Sequence, residues 1–152
     1  LRRQAGQTLH VSVGGHRVAL RTSEENGALR EISFNLAKEG AAYRSLMDAF
    51  AQAVSTGLAR GVPLAEYVDA FAYTRFGPAG LVEGDPEIPR ATSVLDWAFR
   101  RLAMDYLGGA LPQPAAEDVT PDSLSRAAEQ SPLLPLDLPA MPERRGKLRI
   151  VA

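Results

Sequence analysis

The N-terminal part of the chain alternates apolar and polar positions with a period of two. Leu9, Val11 and Val13 alternate with His10 and Ser12. Val18, Leu20 and Thr22 alternate with Arg17, Ala19 and Arg21, and Ile32, Phe34 and Leu36 with Glu31, Ser33 and Asn35. This pattern predicts strands with one apolar face. Gly14-Gly15 and Asn26-Gly27 separate the runs, and both pairs suit the positive φ of two-residue hairpin turns. Residues 9–36 are therefore expected to form a three-stranded antiparallel meander, whose two edges invite pairing.

Beyond residue 40 the spacing changes to three and four. Tyr43, Leu46, Met47, Phe50, Val54 and Leu58 form the stripe of an amphipathic helix, with Gly61 as its stop. Pro63 suits the first turn of a second helix, with Leu64, Tyr67, Val68 and Phe71 as its stripe. "GPAGLVEGDPEIP", with three Gly and three Pro, reads as a loop. A third helix buries Leu95, Ala98, Leu102 and Tyr106 and ends at Gly108-Gly109. The expected fold class is α+β, a three-stranded meander packed against about three helices.

The character of the chain changes at Ala110. Seven of the eleven prolines lie beyond it, so residues 1–109 are read as the folded domain and 110–152 as a Pro-rich extended tail. One short helix can start there at Thr120 or Asp122. The terminal "KLRIVA" has strand character and suits either an added edge strand or the end of a linker.

Composition narrows the chemistry. A length of 152 residues, 45% of them hydrophobic and 23% charged, is that of an ordinary globular domain. A net charge of −1 argues against a broad basic face for nucleic acid. There is no cysteine, which removes disulfides, thiolate metal sites and thiol nucleophiles together. No apolar run approaches the ~20 residues of a membrane span, and "LRRQAGQTLH", with no apolar core after its basic residues, does not read as a signal peptide, so a cytoplasmic location is expected. The chain does not begin with Met, which suggests a fragment or a processed product.

Few residues are candidates for chemistry. His10 and His16 flank the Gly14-Gly15 turn, but spacing supplies no third metal ligand, and solvated strand positions are the favoured reading. No catalytic residue and no metal site are expected. In "KEGAAYR", Lys38 and Arg44 flank a helix start whose free N–H groups suit an anion, although Glu31 and Glu39 oppose one. Arg75, beside Phe76, is an interface or buried arginine, its stem placed to pack on Tyr73. Thr92, Ser93 and Asp96 fit a capping box. Ser93 Oγ would accept from the Asp96 N–H while the Asp96 carboxylate reaches back to the Ser93 N–H. On that reading Asp96→Ala costs about 1 kcal/mol. A competing helix start lies upstream, with Asp85 as cap and Pro86 in the first turn.

The run from Val13 to Leu107, two-thirds of the chain, resembles the C-terminal region of adenosylcobalamin-dependent (class II) ribonucleotide reductases, which carries a TSCPD-type domain. The likeness is dense in "KEGAAYRSLM", "GVPLAEYVDAF", "TRFGPAG" and "ATSVLD". The naming motif Thr-Ser-Cys-Pro-Asp falls on Thr92, Ser93, Val94, Leu95 and Asp96, with Cys and Pro replaced by apolar residues. The resemblance implies a parent enzyme that makes deoxyribonucleotides through a cobalamin-generated thiyl radical. The family's catalytic cysteines and carboxylate lie on a barrel outside this chain, so no catalytic residue carries over.

The expectation is a non-catalytic accessory or interaction domain, silent alone and binding no cobalamin itself. Its expected partner is the catalytic barrel or the same domain of another subunit, and homo-oligomers are compatible with either. The alternative is a free-standing protein-binding module of the same fold with another partner. Weak single-strand or nucleotide binding through Arg75, Arg100, Arg101 and the basic stretch Arg144 to Arg149 is a third reading.

Overall fold

Two glycine-bearing turns set the frame. The computed structural model describes residues 4–112, and the short tail helix and terminal strand expected above lie outside the described residues. Strands β1 (Ala5–Val13), β2 (His16–Glu25) and β3 (Ala28–Leu36) form the predicted meander. Gly14, Gly15, Asn26 and Gly27 all have positive φ, as the primed hairpin turns require. In the β2–β3 pair Ser23 faces Glu31 while Glu24 faces Leu29, so Arg30 is the extra residue of a β-bulge. The bulge brings Leu29 onto the same inner face as Ile32, three positions on, and both are buried.

The sheet has five strands rather than three. The Gly/Pro-rich segment expected to be a loop contributes β4 (Gly80–Glu83) and β5 (Arg90–Ala91), giving the order β3-β2-β1-β4-β5. β4 pairs with the end of β1, placing Val13 opposite Val82 and Ser12 opposite Glu83. Gly14 is held on this new strand, its N–H donating to Leu81 O at 2.8 Å. Its φ is +56°, and a Cβ there would meet Ala79 O at 2.4 Å, so only glycine fits.

Each edge of the meander is met in part. β4 takes one side of the meander. On the other, helix α1 (Ala41–Ala59) brings Ser55 against β3, where Ser55 Oγ accepts from the Ile32 N–H (3.0 Å) and donates to Ile32 O (3.1 Å). A helix hydroxyl thus stands in for the missing neighbouring strand at that residue, and Arg30 reaches Leu58 O to close the same side.

The stripe of α1 is Met47, Ala51, Val54 and Leu58, all buried. Leu46, expected on it, is instead 69% exposed, because burial follows the Met47 row and Leu46 lies about 100° around the helix. Pro63 sits just ahead of α2 (Leu64–Phe71) as its N-cap rather than in its first turn. Helix α3 (Val94–Tyr106) begins at the downstream of the two predicted starts, with Ser93 as N-cap. Trp97, Ala98, Phe99, Leu102 and Ala103 are fully buried, so α3 is the core element. Phe99 meets Phe71 and Phe50, with ring centroids 5.4 and 6.1 Å away, which joins α1, α2 and α3.

Candidate functional site

The polar residues of "ATSVLD" do two different jobs. Ser93 Oγ accepts from the Asp96 N–H at 2.9 Å, the predicted half of the capping box. The reciprocal half is absent: the Asp96 carboxylate does not reach the Ser93 N–H. It accepts four other donors, the Tyr73 N–H (2.7 Å), the Thr92 N–H (2.8 Å), and Arg100 Nε and Arg100 Nη2 (2.9 and 2.7 Å). Asp96 is 0% exposed. A carboxylate has about four acceptor sites, and here all are filled. Asp96 is therefore a hub joining α3 to a distant segment, and its loss is expected to cost more than the about 1 kcal/mol of a cap.

That distant segment is Tyr73–Phe76. Tyr73 has φ +63°, a left-handed conformation uncommon outside glycine, and its N–H is turned onto Asp96. Thr74 Oγ1 and Ser93 Oγ lie 3.0 Å apart, Thr92 Oγ1 donates to Thr74 O, and the Phe76 N–H donates to Thr92 O. Two of the four dense stretches of the family likeness, "TRFGPAG" and "ATSVLD", are thereby locked side by side. Arg100 completes the lock by donating to Arg90 O and lying 5.6 Å over the Tyr73 ring. The guanidinium over the Tyr73 ring is that of Arg100.

A cleft of about 840 Å³ opens on this lock, lined by Tyr73, Arg75, Phe76, Arg90, Thr92 and Arg100 among others. Arg75, Arg90 and Arg100 line it together with Asp96. Arg75 and Thr92 are exposed at its wall, whereas Ser93 and Asp96 are buried beneath it.

The other predicted positions are scattered. Lys38 is exposed in the turn before α1. Arg44, in the first turn of α1, lines a separate cleft of about 280 Å³ together with Asp48. Lys38 is not among the lining residues. His10 and His16 fall on opposite faces of the sheet, since their strand partners are the outward Ala19 and the inward Val13. His16 Nδ1 is 2.5 Å from Glu39 Oε1.

Asp85 is not a helix cap. Its buried carboxylate accepts from Trp97 Nε1 at 3.0 Å and from Arg101 at 3.1 Å, anchoring the β4–β5 connection to α3. Arg101 also pairs with Asp105 and Glu87. Burial works against its charge, but these three carboxylates outweigh that and raise its pKa. Sequence reasoning passed over Arg90, and it named Tyr73 only as a surface for the Arg75 stem and Arg100 only as a phosphate contact, not as partners of Asp96. Only the Asp96–Arg100 pair carried a local signal, at i,i+4 on a helix.

The model of the TSCPD domain matches residues 1–106. The chain belongs to the TSCPD domain family. Similar curated proteins are vitamin B12-dependent ribonucleotide reductases. That of Agrobacterium fabrum is 53% identical over 107 residues, and that of Bradyrhizobium diazoefficiens 56% over 106. That of Streptantibioticus cattleyicolor is 43% identical over 103. These matches cover 70%, 69% and 67% of this chain but only 8%, 8% and 17% of the relatives, so the TSCPD domain spans a small part of their length. No solved structure matches. Among the described residues of this TSCPD domain, no helix is long and apolar enough to cross a membrane.

Proposed function

We propose that this TSCPD domain is a non-catalytic interaction module of a vitamin B12-dependent ribonucleotide reductase. The supporting observation is the saturation of Asp96: four donors consume its acceptor capacity. The Ser93 hydroxyl is likewise committed to the Asp96 N–H and Thr74. A general base needs a free lone pair, and a nucleophilic hydroxyl needs a base beside it. The motif is spent on shaping a surface.

In this reading cobalamin and the radical chemistry stay with the catalytic chain. The 840 Å³ cleft is lined by Arg75, Arg90 and Arg100, whose charge suits an anionic partner. The partner is the catalytic barrel, or the same domain of another subunit, in the cytoplasm, with no nucleic acid involved. The test mixes the full chain with the catalytic reductase subunit and follows gel-filtration co-elution and turnover. Co-elution with altered turnover is expected. Separate elution with unchanged turnover overturns the proposal.

A further inference from the structure

We infer that Asn26 is a site of spontaneous covalent modification: its side-chain amide closes onto the Gly27 nitrogen, loses ammonia, and is converted to aspartate and isoaspartate. The inference stands apart from the interaction-module reading, since it concerns the β2–β3 turn of this chain alone.

The reaction needs an asparagine amide, a following main-chain nitrogen that nothing shields, and freedom to bring the two together. The chain has two asparagines, Asn26 and Asn35, and their surroundings differ. Asn26 is followed by glycine, whose missing side chain leaves its nitrogen open to attack. A Cβ at Gly27 would meet nothing within 4 Å, so the turn faces open space. Among the described residues, neither the Asn26 side chain nor the Gly27 N–H has a hydrogen-bond partner. Asn35 instead sits inside β3, paired with Ala19 and followed by the buried Leu36.

Ring closure takes the Asn26–Gly27 unit out of the primed turn, so it runs through local opening of the hairpin end. Asn26 holds φ +55° in that turn, a conformation uncommon for a residue with a side chain. Asn26, Gly27 and Ala28 are all exposed, and the first buried side chain beyond them is Leu29. Glu25 pairs with Ala28 and Glu24 with Leu29 before the bulge at Arg30 interrupts the ladder. Opening this end exposes no core side chain. Freeing Asn35 means parting β3 from β2 between the buried Phe34 and Leu36.

The step balances with no partner but water. Gly27 N gives its proton to hydroxide and forms a bond to Asn26 Cγ. The Cγ–Nδ2 bond breaks, ammonia leaves, and a cyclic succinimide remains. Water then opens the ring at either carbonyl. Cleavage between Cγ and the Gly27 nitrogen restores the normal main chain as aspartate. Cleavage at the main-chain carbonyl leaves Gly27 joined through Cγ, as isoaspartate. Either product adds a carboxylate next to Glu24 and Glu25, in a chain of net charge −1. Isoaspartate also lengthens the main chain by a carbon, which breaks the geometry of a two-residue hairpin turn.

The experiment incubates the full chain in mildly alkaline buffer, with and without strong urea, and follows each asparagine by peptide mass spectrometry. Isoaspartate is read separately, by methyl transfer from a labelled donor with a protein-isoaspartate methyltransferase. In native buffer Asn26 is expected to convert about tenfold faster than Asn35 or more, a ratio that needs only about 1.4 kcal/mol between opening the turn and opening the strand. In urea, where the turn is gone, Gly27→Ala should convert severalfold more slowly than wild type. Chains carrying isoaspartate should exchange the amides of the Glu24–Leu29 pair faster than Asn26→Asp, which adds the charge without the extra carbon.

An unchanged Asn26 mass in native buffer, or conversion confined to urea, overturns the inference. So does equal conversion of Asn26 and Asn35, or an equal rate for wild type and Gly27→Ala in urea. The readout is a covalent change in this chain alone, so its failure leaves the interaction-module reading standing, and separate elution from the catalytic subunit leaves the Asn26 site standing.

Discussion

Asp96→Ala should be far more damaging than the loss of a helix cap. The substitution removes the acceptor for the Tyr73 and Thr92 N–H groups and the partner of the Arg100 fork, at a site with no solvent access. Each buried donor left unsatisfied costs about 1–3 kcal/mol. Breaking a buried ion pair from one side costs about 3–5 kcal/mol. These contributions overlap, because Arg100 is part-exposed and can turn toward water, so the expected loss is about 3–5 kcal/mol. Domains of this size have a total stability of only about 5–15 kcal/mol.

The assay is urea denaturation of the full chain followed by Trp97 fluorescence, beside Ser93→Ala as the reference for a lost cap. Ser93→Ala should cost about 1 kcal/mol. Asp96→Asn should fall between the two, since its carbonyl can still accept but its charge is gone. Hydrogen exchange adds a local readout: the Tyr73 amide should lose protection in Asp96→Ala and keep most of it in Ser93→Ala. If Asp96→Ala costs no more than Ser93→Ala, and Tyr73 stays protected, Asp96 is only a cap and the hub argument fails.

Three further outcomes can be checked. Gly14→Ala should lose about 2 kcal/mol or more by thermal melting, since it forces a side chain into left-handed φ and against Ala79 O; the same change at Gly15, where nothing lies within 4 Å, should cost less. Ser55→Ala should cost about 1–3 kcal/mol by leaving the Ile32 N–H and C=O without their partner, and Ile32 should exchange its amide faster. Tyr106 has its pKa raised to about 12 by burial and by donating to Glu24. The folded state therefore favours the protonated phenol, so its contribution is full below about pH 10 and fades as pH rises toward 12. Tyr106→Phe should flatten that part of the stability–pH curve, and a slope equal to wild type would contradict the assignment.

The meander was readable because its information is local. Alternation and a two-residue turn such as Asn26-Gly27 act within a few positions of each other, and the bulge at Arg30 shifts the register without breaking the pattern. Helix α3 and its Ser93 cap were readable for the same reason. β4 and β5 were not. At four and two residues, amid glycine and proline, they have too little length for a period to show, and they exist because the end of β1 pairs with β4 and β4 in turn pairs with β5. Leu46 misled because both Leu46 and Met47 fit a helical stripe, and only the position of the sheet decides which row is buried.

The motif divides along the same line. Ser93 acts on an N–H three residues away, a relation visible in any linear reading. Asp96 acts on Tyr73, 23 residues earlier in the chain, and no propensity marks Tyr73 as a left-handed residue waiting for a carboxylate. Short-range hydrogen bonds and periodic burial follow from neighbours in the chain. The Asp96 hub, the fourth and fifth strands, and the arginine-walled cleft depend on segments that only packing brings together.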